Sequence, residues 1–388
     1  MTGFSGLRIG LVGPWPPPAG GMANQCEQLH RLLRSEGAQV ELVRTNAPYQ
    51  PAWAARLPVL RSAFRLLPYL WRLWRAAGQV QVMHVMANSG WSWHLCAAPA
   101  LWLARWRGTP VIVNYRGGEA DAFFARAPRH VLASLRQAAL RVTPSPFLQR
   151  VFAGHGMAAE VIPNIIDLAR FAPSAPRDFG QSPRLLVARN LEPIYDIPTA
   201  IRAFARVRQR FTGARLTVAG SGPELARLRE LVADLGLVEV VEFAGRIDNA
   251  AMPALYALAD CALNTSTVDN MPISVLEAFA SGVVLVSTAA GGIPDIVSDG
   301  VSGLLAPVGD DEALARCICR VLSGPLLAAR LRAAGRTAAA AYAWRHVSPL
   351  WLAAYQQAAG VPPVIAAAGR GASAAGTGWM HNPTDDQP

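Results

Sequence analysis

Residues 7–43 read LRIGLVGPWPPPAGGMANQCEQLHRLLRSEGAQVELV, and the order of patterns in this stretch indicates the fold class. The apolar run at 7–12 predicts a buried strand, which is followed by a proline cluster and the pair Gly20-Gly21. A helical pattern covers 22–35, and residues 39–43 predict a second strand. A strand, a glycine-rich turn, a helix and a second strand in this order are typical of a parallel, doubly wound α/β sheet.

The same pattern continues along the chain and restarts in its second half. Further strands are predicted at 80–85, 111–115, 141–143 and 160–162. The second series has predicted strands at 185–188, 215–219, 240–243, 261–264 and 283–287, and predicted helices at 197–209, 224–235, 252–258 and 274–280. A stretch rich in Pro and Ser near 171–182 predicts a hinge between the halves. We therefore expect two consecutive α/β domains.

The composition indicates a folded chain with an excess of positive charge. Hydrophobic residues make up 52% of the 388 residues and charged residues 16%, which fits a chain that buries a core, and the length suits two domains. The formal net charge is +10, and all 36 basic residues are Arg because the sequence contains no Lys. This excess favours anionic partners. Nucleotide phosphates and an anionic lipid surface are expected partners, and nucleic acid is not.

The number of cysteines, together with the absence of an apolar segment long enough to span a membrane, predicts a cytoplasmic protein. The five cysteines are an odd number at scattered positions, which suits reduced thiols. No uncharged apolar stretch is long enough to predict a membrane-spanning helix. The N-terminus lacks the basic start and apolar run of a signal peptide. Peripheral attachment to the inner face of the cytoplasmic membrane is a further option.

Three glycine-rich turns follow predicted strands. The first is Gly20-Gly21, the second is Gly220-Ser221-Gly222-Pro223, and the third is GGIPD at 291–295. Glycine lets a backbone approach a ligand closely, and a helix N-terminus offers free N–H groups to an anion. The G-x-G-x-x-G fingerprint is absent, so a dinucleotide site is not predicted. Each turn alone would suit a plain loop equally well, but three at strand ends indicate a ligand cleft.

The segment 269–277, with the sequence DNMPISVLE, carries the strongest functional signal. Asp269 is expected just before a helix and Glu277 two turns inside it, with the unpaired N–H groups of 270–274 facing the cleft. A carboxylate can accept two hydrogen bonds from a cis-diol such as ribose, while the helix N-terminus receives phosphate. The alternative is that Asp269 is an N-terminal cap and Glu277 a surface residue. The apolar neighbours of Glu277 disfavour the second half of that alternative.

These motifs together resemble the retaining glycosyltransferases of family 4, also called group 1 or glycogen-synthase-like transferases. The resemblance covers roughly 7–355, and its most specific marks are VIPNIID at 161–167, LLVAR at 185–189, GSGP at 220–223, DNMPISVLE, GGIPD and DGVSGL at 299–304. It implies the GT-B fold, in which two Rossmann-like domains face each other across a cleft. The implied divisions are an acceptor-side domain at 1–172, a nucleotide-sugar-binding domain at 173–345, and a helix at 346–360 packing back toward the first domain. The Ala-, Gly- and Pro-rich composition of 361–388, which has no apolar period, predicts a disordered tail.

The resemblance also implies roles for individual residues. Arg189 matches the arginine that holds the donor diphosphate, and Tyr195 stands where the family has a lysine that shares this task. The family's paired acids match Asp269, which should meet the transferred sugar, and Glu277, which should accept from ribose hydroxyls. Arg116 replaces a histidine of the facing domain and could restore the charge lost at Tyr195. The implied catalytic residues are Asp269, Arg189 and Arg116, and the implied donor contacts are Gly20, Gly21, Gly220, Gly222, Tyr195, Asn270, Met271, Ile273, Ser274 and Glu277.

The implied reaction is retaining transfer of a sugar from a UDP- or GDP-sugar to a glycan or lipid-linked acceptor, in bacterial polysaccharide or glycolipid assembly. No cofactor is implied besides the donor, and no metal is expected because no Asp-x-Asp stands at a strand end. His84, His94 and His155 are interpreted as hydrogen-bonded polar residues rather than catalysts. One alternative is a non-catalytic subunit of the same fold that binds a sugar nucleotide or glycan. Another is a sugar-nucleotide epimerase, which would need a set of carboxylate and His residues that we do not find.

A basic aromatic stretch at 53–77 predicts a membrane contact. At helical spacing its apolar face gathers Trp53, Leu57, Leu60, Phe64, Leu67, Trp71 and Trp74, and Arg61, Arg65 and Arg72 lie along one flank. An apolar face with Trp beside a cationic flank is typical of a helix at an anionic membrane surface. The alternative is an ordinary amphipathic helix packed on the sheet, in shorter pieces because of Pro58 and Pro68.

Overall fold

The structure is a computed structural model that describes residues 3–17, 20–48, 61–173 and 182–360. The predicted tail at 361–388, the first part of the aromatic stretch up to residue 60, and most of the predicted hinge lie outside the described residues. All five cysteines are described, and all are free thiols.

The first half forms a six-stranded parallel sheet in the order β2-β1-β3-β4-β5-β6. Its strands are β1 (Arg8–Gly13), β2 (Gln39–Arg44), β3 (Val82–Ala87), β4 (Val111–Tyr115), β5 (Leu140–Thr143) and β6 (Glu160–Val161). The helices of this half are α1 (Gly21–Ser35), α2 (Arg61–Ala77), α3 (Ala98–Trp106), α4 (Ala120–Arg126), α5 (Arg129–Arg136) and α6 (Pro146–Gly154), with a π-helical turn at Trp93–Ala97 before α3. Because all strands are parallel, the loops after β1, β3 and β4 meet at one edge of the sheet.

The second half repeats this architecture with a sheet in the order β12-β11-β10-β7-β8-β9, again parallel. Its strands are β7 (Arg184–Ala188), β8 (Arg215–Ala219), β9 (Val241–Gly245), β10 (Cys261–Asn264), β11 (Val284–Thr288) and β12 (Leu304–Ala306). Its helices are α7 (Ile197–Arg208), α8 (Leu225–Asp234), α9 (Met252–Ala257), α10 (Ile273–Ala280), α11 (Asp311–Ser323) and α12 (Pro325–Ala340). The strand order reverses beside β7, which is where open α/β sheets bind ligands.

The last helix, α13 (Trp344–Ala358), returns to the first half of the chain. Its residues Trp351 and Tyr355 lie in the same buried cluster as Ile9 of β1. The Tyr355 hydroxyl lies 2.7 Å from Nδ1 of His84, and the Asn114 amide lies 3.1 Å from Nε2 of the same ring. His84 is therefore a hydrogen-bonded core residue, as expected. Its ring is fully buried, and burial lowers its pKa to about 3.

Most predicted elements are present within a few residues of their expected bounds, and one expected break is wrong. Pro68 lies inside a continuous α2 rather than at its end. A proline removes the hydrogen bond to the carbonyl four residues earlier. Pro68 lies on the exposed side of α2, so its ring does not enter the face of the helix that packs on the sheet. Among the described residues, no helix has both the length and the apolar character needed to cross a membrane.

Candidate functional site

A cavity of about 460 Å³ lies between the C-terminal edges of the two sheets. The first half contributes the start of α1, and the second half contributes the loops after β7, β8 and β9 together with the first turns of α10. A smaller cavity of about 250 Å³ adjoins it and extends toward the loop after β4. The residues that line the larger cavity include Gly20, Gly21, Asn24, Arg189, Tyr195, Gly220, Ser221, Arg246, Asn249, Ile273, Ser274 and Glu277.

Arg189 directly follows β7 and lines both cavities. One terminal nitrogen of its guanidinium forms an ion pair with Asp269, and the other donates to the Ser274 hydroxyl at 3.4 Å. The ring of Tyr195 covers one face of the guanidinium, with its centroid 4.0 Å from the guanidinium carbon. The arginine Nε is buried without a hydrogen-bond partner among the described residues. These contacts hold a cation at the cavity wall.

Asp269 does not cap the helix that follows it. Its Oδ2 accepts from Arg189, and its Oδ1 accepts from the backbone N–H of Asn270 at 2.8 Å. The helix α10 begins only at Ile273, so Asp269 precedes it by four residues. The carboxylate therefore lines the smaller cavity as half of a partly buried ion pair, and the cap alternative is not supported.

Glu277 lies one turn inside α10, not two, and is only 8% exposed. Burial raises the pKa of its carboxyl group to about 7, while the Tyr256 hydroxyl and the positive charge of Arg189 oppose that rise. The carboxylate lines the larger cavity and a third cavity of about 450 Å³ on its other side. The structure thus excludes the surface-residue alternative for Glu277 and places an acid that titrates near neutral pH at the cavity floor.

The start of α10 is open toward the larger cavity. Its N-cap residue, Pro272, makes no side-chain hydrogen bond to the first turn, and Ile273 and Ser274 line the cavity. Asn270 and Met271 lie before the helix and contact the first half instead. The Asn270 amide donates to the carbonyl of Gly117 at 2.8 Å, and the Met271 carbonyl accepts from the Asn164 amide at 2.8 Å. The N–H of Asn270 is also used, by the Asp269 carboxylate, so the part of the predicted 270–274 segment that lines the larger cavity is 273 and 274.

Arg116 follows β4 and reaches the smaller cavity from the first half. Its guanidinium donates to the side-chain oxygen of Asn164. Burial lowers the pKa of Arg116 to about 10, which leaves it charged at neutral pH. Among the described residues, no carboxylate forms an ion pair with it. Arg116 and the Arg189–Asp269 pair line the same cavity from opposite halves of the chain.

The predicted glycines divide into two kinds. Gly20 and Gly21 line the larger cavity and have open space where a Cβ atom would lie. A Cβ at Gly220 would lie 1.9 Å from the carbonyl oxygen of Arg189, so this glycine lets the loop after β8 press against the loop after β7. Gly222 makes the same kind of approach to Leu191 and is not part of the cavity wall, unlike our expectation.

Helices α2 and α3, together with the turn before α3, carry exposed Trp and Leu side chains on the first half. Tyr69 and Leu73 of α2 pack against the core, and Trp71 and Trp74 of the same helix are exposed to solvent. Arg75 stacks over Trp71 at 5.5 Å and Arg107 over Trp74 at 4.7 Å. No Asp or Glu occurs from 42 to 118, so the charges of this region are cationic. The aromatic surface, as we call it below, consists of Leu67, Trp71, Trp74, Trp91, Leu95, Trp102 and Trp106.

Two family models match the chain, one on each half. The model of glycosyltransferase family 4 matches residues 19–170, and the model of the group 1 glycosyl transferases matches residues 173–338. A GDP-mannose-dependent alpha-(1-6)-phosphatidylinositol monomannoside mannosyltransferase of Mycobacterium tuberculosis is 30% identical over 267 residues, which are 63% of this chain and 69% of the relative. The chain belongs to the group 1 glycosyltransferases. The prediction that the chain is a glycosyltransferase enzyme is therefore confirmed. The names of these relatives give no support to the alternative of a non-catalytic subunit.

Other similar proteins cover nearly all of this glycosyltransferase. A phosphatidyl-myo-inositol mannosyltransferase of Mycobacterium leprae is 27% identical over 378 residues, which are 91% of this chain and 97% of the relative. A sucrose-phosphate synthase of Thermosynechococcus elongatus superposes with a TM-score of 0.72 at 20% identity, covering 90% of this chain and 98% of that one. Anabaena HepE in complex with UDP-glucose gives a TM-score of 0.70 at 19% identity, covering 90% and 99%. The GT-B fold, with two Rossmann-like domains across a cleft, is thus confirmed.

Several polar residues of the glycosyltransferase cleft were missed by sequence reasoning. Asn24 of α1 lines the larger cavity, and its side-chain oxygen is buried without a partner among the described residues. Asn164 joins Arg116 to the backbone of Met271, and Tyr256 lies beneath Glu277. Asn24 and Tyr256 lie within ordinary helical patterns, which carry no sign of a site. Asn164 stands inside the motif VIPNIID, which the sequence marked for the family but not for this contact.

Proposed function

We propose that this glycosyltransferase is a retaining enzyme that transfers a sugar from a UDP- or GDP-sugar to a lipid-linked or glycan acceptor. The observation that carries the proposal is the cleft cavity, where Arg189, the open start of α10 and the buried Glu277 line one wall. The proposed division is an acceptor-side domain at 1–172, a donor-binding domain at 173–345, and residues 346–360 belonging with the first domain. The names of the mannosyltransferase relatives and the UDP-glucose bound to HepE support the donor class.

In this proposal, the donor binds mainly to the second domain. The guanidinium of Arg189 and the N–H groups at 273 and 274 hold the diphosphate, because a cation and a helix N-terminus both favour an anion. Gly20 and Gly21 approach it from the first domain, where a side chain would narrow the cavity. The carboxylate of Glu277 accepts from the ribose hydroxyls, and Gly220 helps to shape the wall beside them.

The proposed chemistry is electrostatic stabilisation of the leaving group. The bond between the anomeric carbon and the β-phosphate oxygen breaks, its electron pair stays on the diphosphate, and the acceptor hydroxyl bonds to that carbon from the same face. The acceptor proton passes to the departing phosphate oxygen, so no separate base is needed. Asp269 orients the sugar, and the growing negative charge is stabilised by Arg189 and by Arg116, which lines the same small cavity without an anionic partner among the described residues.

A screen of donors tests the proposed function. The full chain would be incubated with UDP-glucose, GDP-mannose and related UDP- and GDP-sugars, and binding, hydrolysis and transfer to extracted lipid-linked acceptors would be measured. We expect one donor to stabilise the protein thermally and to be consumed, with the anomeric configuration kept in the product. A protein that binds a donor but never consumes it, or a product of inverted configuration, would contradict the proposal.

Glu277→Gln is expected to weaken binding of the nucleotide sugar by about 1–3 kcal/mol at pH 8, the usual cost of losing a charged hydrogen bond. The wild-type affinity should also rise with pH. Burial raises the pKa of Glu277 to about 7. Binding through its carboxylate is therefore weak below that pH and gains about tenfold between pH 6 and 8. Calorimetric titration with an intact nucleotide sugar measures both effects without the titrating terminal phosphate of a free nucleotide.

In the Glu277→Gln variant, the affinity should no longer change over this pH range. Glu312→Gln is the matched control, because Glu312 is an exposed glutamate on α11 paired with Arg316. It should bind and titrate like the wild type. An affinity of folded Glu277→Gln equal to that of the wild type at pH 8 would remove Glu277 from the ribose site.

We further propose that the aromatic surface docks on an anionic membrane, so that the enzyme is peripheral on the inner face of the cytoplasmic membrane. Trp91 and Trp106 are 78% and 73% exposed, which is a large apolar area for side chains in contact with water. Trp suits the headgroup region of a bilayer, and the arginines at 72, 75, 105 and 107 suit lipid phosphates. Docking would bring the first domain to a lipid-linked acceptor.

Co-sedimentation with vesicles tests the docking. Binding to anionic vesicles should exceed binding to neutral ones and should weaken at high salt, because salt screens charges at a surface. Arg72→Gln with Arg75→Gln should lower the binding free energy to anionic vesicles by about 1 kcal/mol for each charge. Trp71→Ser with Trp106→Ser should lower binding to both kinds of vesicle. Leu326→Ser, at a highly exposed leucine of the second domain, is the control and should change neither. Equal binding by all these proteins would rule out this surface.

A further inference from the structure

The loop after β11 contacts the first domain through Asp295. One oxygen of this carboxylate accepts from the backbone N–H of Phe147, in the first turn of α6, at 2.6 Å. Both oxygens accept from the guanidinium of Arg150 on the next turn, at 3.1 Å each. The two contacts with Arg150 share one terminal nitrogen of the guanidinium. A carboxylate is favoured at a helix N-terminus, and a hydrogen bond from a charged guanidinium strengthens the contact. Asp295 therefore ties a loop of the donor-binding half to a helix of the other half.

The same loop is pressed against the backbone of Asp269. The N–H of Gly292 donates to the carbonyl of Asp269 at 2.8 Å. A Cβ at Gly291 would lie 2.1 Å from that same carbonyl oxygen, and one at Gly292 would lie 2.1 Å from the carbonyl oxygen of Asn270. The backbones approach so closely that only glycine fits at both positions. A shift of this loop therefore shifts Asp269 and Asn270 with it.

The contact of Asp295 with α6 and the contact of Gly292 with Asp269 together connect α6 to the carboxylate that faces the sugar. When α6 is in its observed place, Asp295 holds the loop, and the loop holds the backbone of Asp269. When the domains separate, the contact with α6 is lost, and the loop keeps only its contacts within its own half. The GGIPD motif that contains these residues is not explained by donor binding, because neither Gly291 nor Asp295 is part of the wall of the donor cavity.

We propose that Asp295 is a positioning residue that couples closure of the two domains to the placement of Asp269. The coupling makes the sugar-orienting carboxylate correctly placed only when the domains are together and water is excluded from the cleft. This inference rests on the proposed function, since it assigns Asp295 a part in the same reaction. Asp295 itself does not touch the reacting atoms.

The experiment compares Asp295→Ala, Asp295→Glu and wild type for transfer to the extracted lipid-linked acceptor, with the UDP- or GDP-sugar that the wild type consumes in the donor screen. Asp295→Ala should lower kcat by about 10- to 100-fold, the usual effect of a displacement of about 1 Å in an active site. The affinity and stoichiometry for UDP or GDP should stay within twofold of wild type, because Arg189 and Glu277 are untouched. Asp295→Glu keeps the charge and should recover most of kcat.

A double-variant comparison separates this role from simple loss of structure. Arg150→Ala removes one partner of Asp295 and should lower kcat less than Asp295→Ala does. The two changes together should be no worse than Asp295→Ala alone, because they break one path. Asp310→Asn is the control, since Asp310 caps α11 by accepting from Ala313 and makes no such contact with α6. It should leave kcat unchanged.

Two results would overturn the inference. One is an unchanged kcat in Asp295→Ala. The other is a fall in kcat matched by an equal fall in the stoichiometry of nucleotide binding, which would mean only that part of the protein is unfolded. If the wild type consumes none of the UDP- and GDP-sugars in the donor screen, the proposed function is refuted, and the inference is refuted with it. Activity in the wild type with unchanged activity in Asp295→Ala would leave the proposed function standing and refute only the coupling.

Discussion

Asp269→Asn is expected to lower kcat by about 100- to 1,000-fold while leaving the affinity for the nucleotide within a few-fold of wild type. A loss of this size is typical when a charge-stabilising group is removed from a transition state. Asp269 lines the smaller cavity, beside rather than within the larger one, so its charge acts on the sugar more than on the nucleotide. The change also removes the negative partner of Arg189. Arg189 itself stays in place as a cation, so its binding of the diphosphate should not weaken.

The measurement is steady-state kinetics of donor consumption together with calorimetric titration of UDP or GDP. Arg189→Ala provides the contrast, because it should weaken nucleotide binding as well as turnover. A fall in affinity for Asp269→Asn as large as the fall in kcat would show that Asp269 holds the nucleotide. An unchanged kcat would remove Asp269 from the reaction. Thermal unfolding of each variant checks that the ion-pair loss has not unfolded the protein.

Arg116→Ala is expected to reduce kcat by about 100-fold or more, the cost of losing one charged donor to the leaving group. The structure places Arg116 at the smaller cavity, with an amide but no carboxylate as its partner among the described residues. A half-buried cation without an anion is stabilised when an anionic substrate arrives. Its removal should therefore affect the charged transition state more than the fold.

Two further variants sharpen the Arg116 prediction. Arg116→Lys keeps the charge but loses the two-pronged geometry, so it should fall between wild type and Arg116→Ala. Tyr195→Lys introduces the family's lysine and should be tolerated in the wild type or partly rescue Arg116→Ala. In the structure, Tyr195 stacks on Arg189, so this change also removes that packing. Wild-type turnover by Arg116→Ala would show that the charge lost at Tyr195 is not replaced from the facing domain.

Features that depend on neighbouring residues in the chain were predicted from the sequence, and features that depend on tertiary contacts were not. Strands and helices follow from local periodicity, which is why the two α/β series were predicted to within a few residues. The start of α10 lies one residue from its predicted bound, but the expectation of two helical turns before Glu277 was wrong, because Pro272 and the residues before it form a loop instead of a first turn. The break expected at Pro68 was wrong because α2 continues through this proline, whose ring lies on the exposed side, and only the packed structure shows which side of a helix is exposed.

The sequence by itself determined the doubly wound halves, the family and the identities of the charged residues at the strand ends. It could not determine which of these residues meet, because contacts such as Asn270 with Gly117 or Asp295 with Phe147 join positions far apart in the chain. The tertiary structure alone decided that Glu277 is buried enough to titrate near neutral pH and that the Trp side of α2 faces solvent. Burial and electrostatic coupling depend on what the rest of the fold places around a side chain, and no local pattern contains that information.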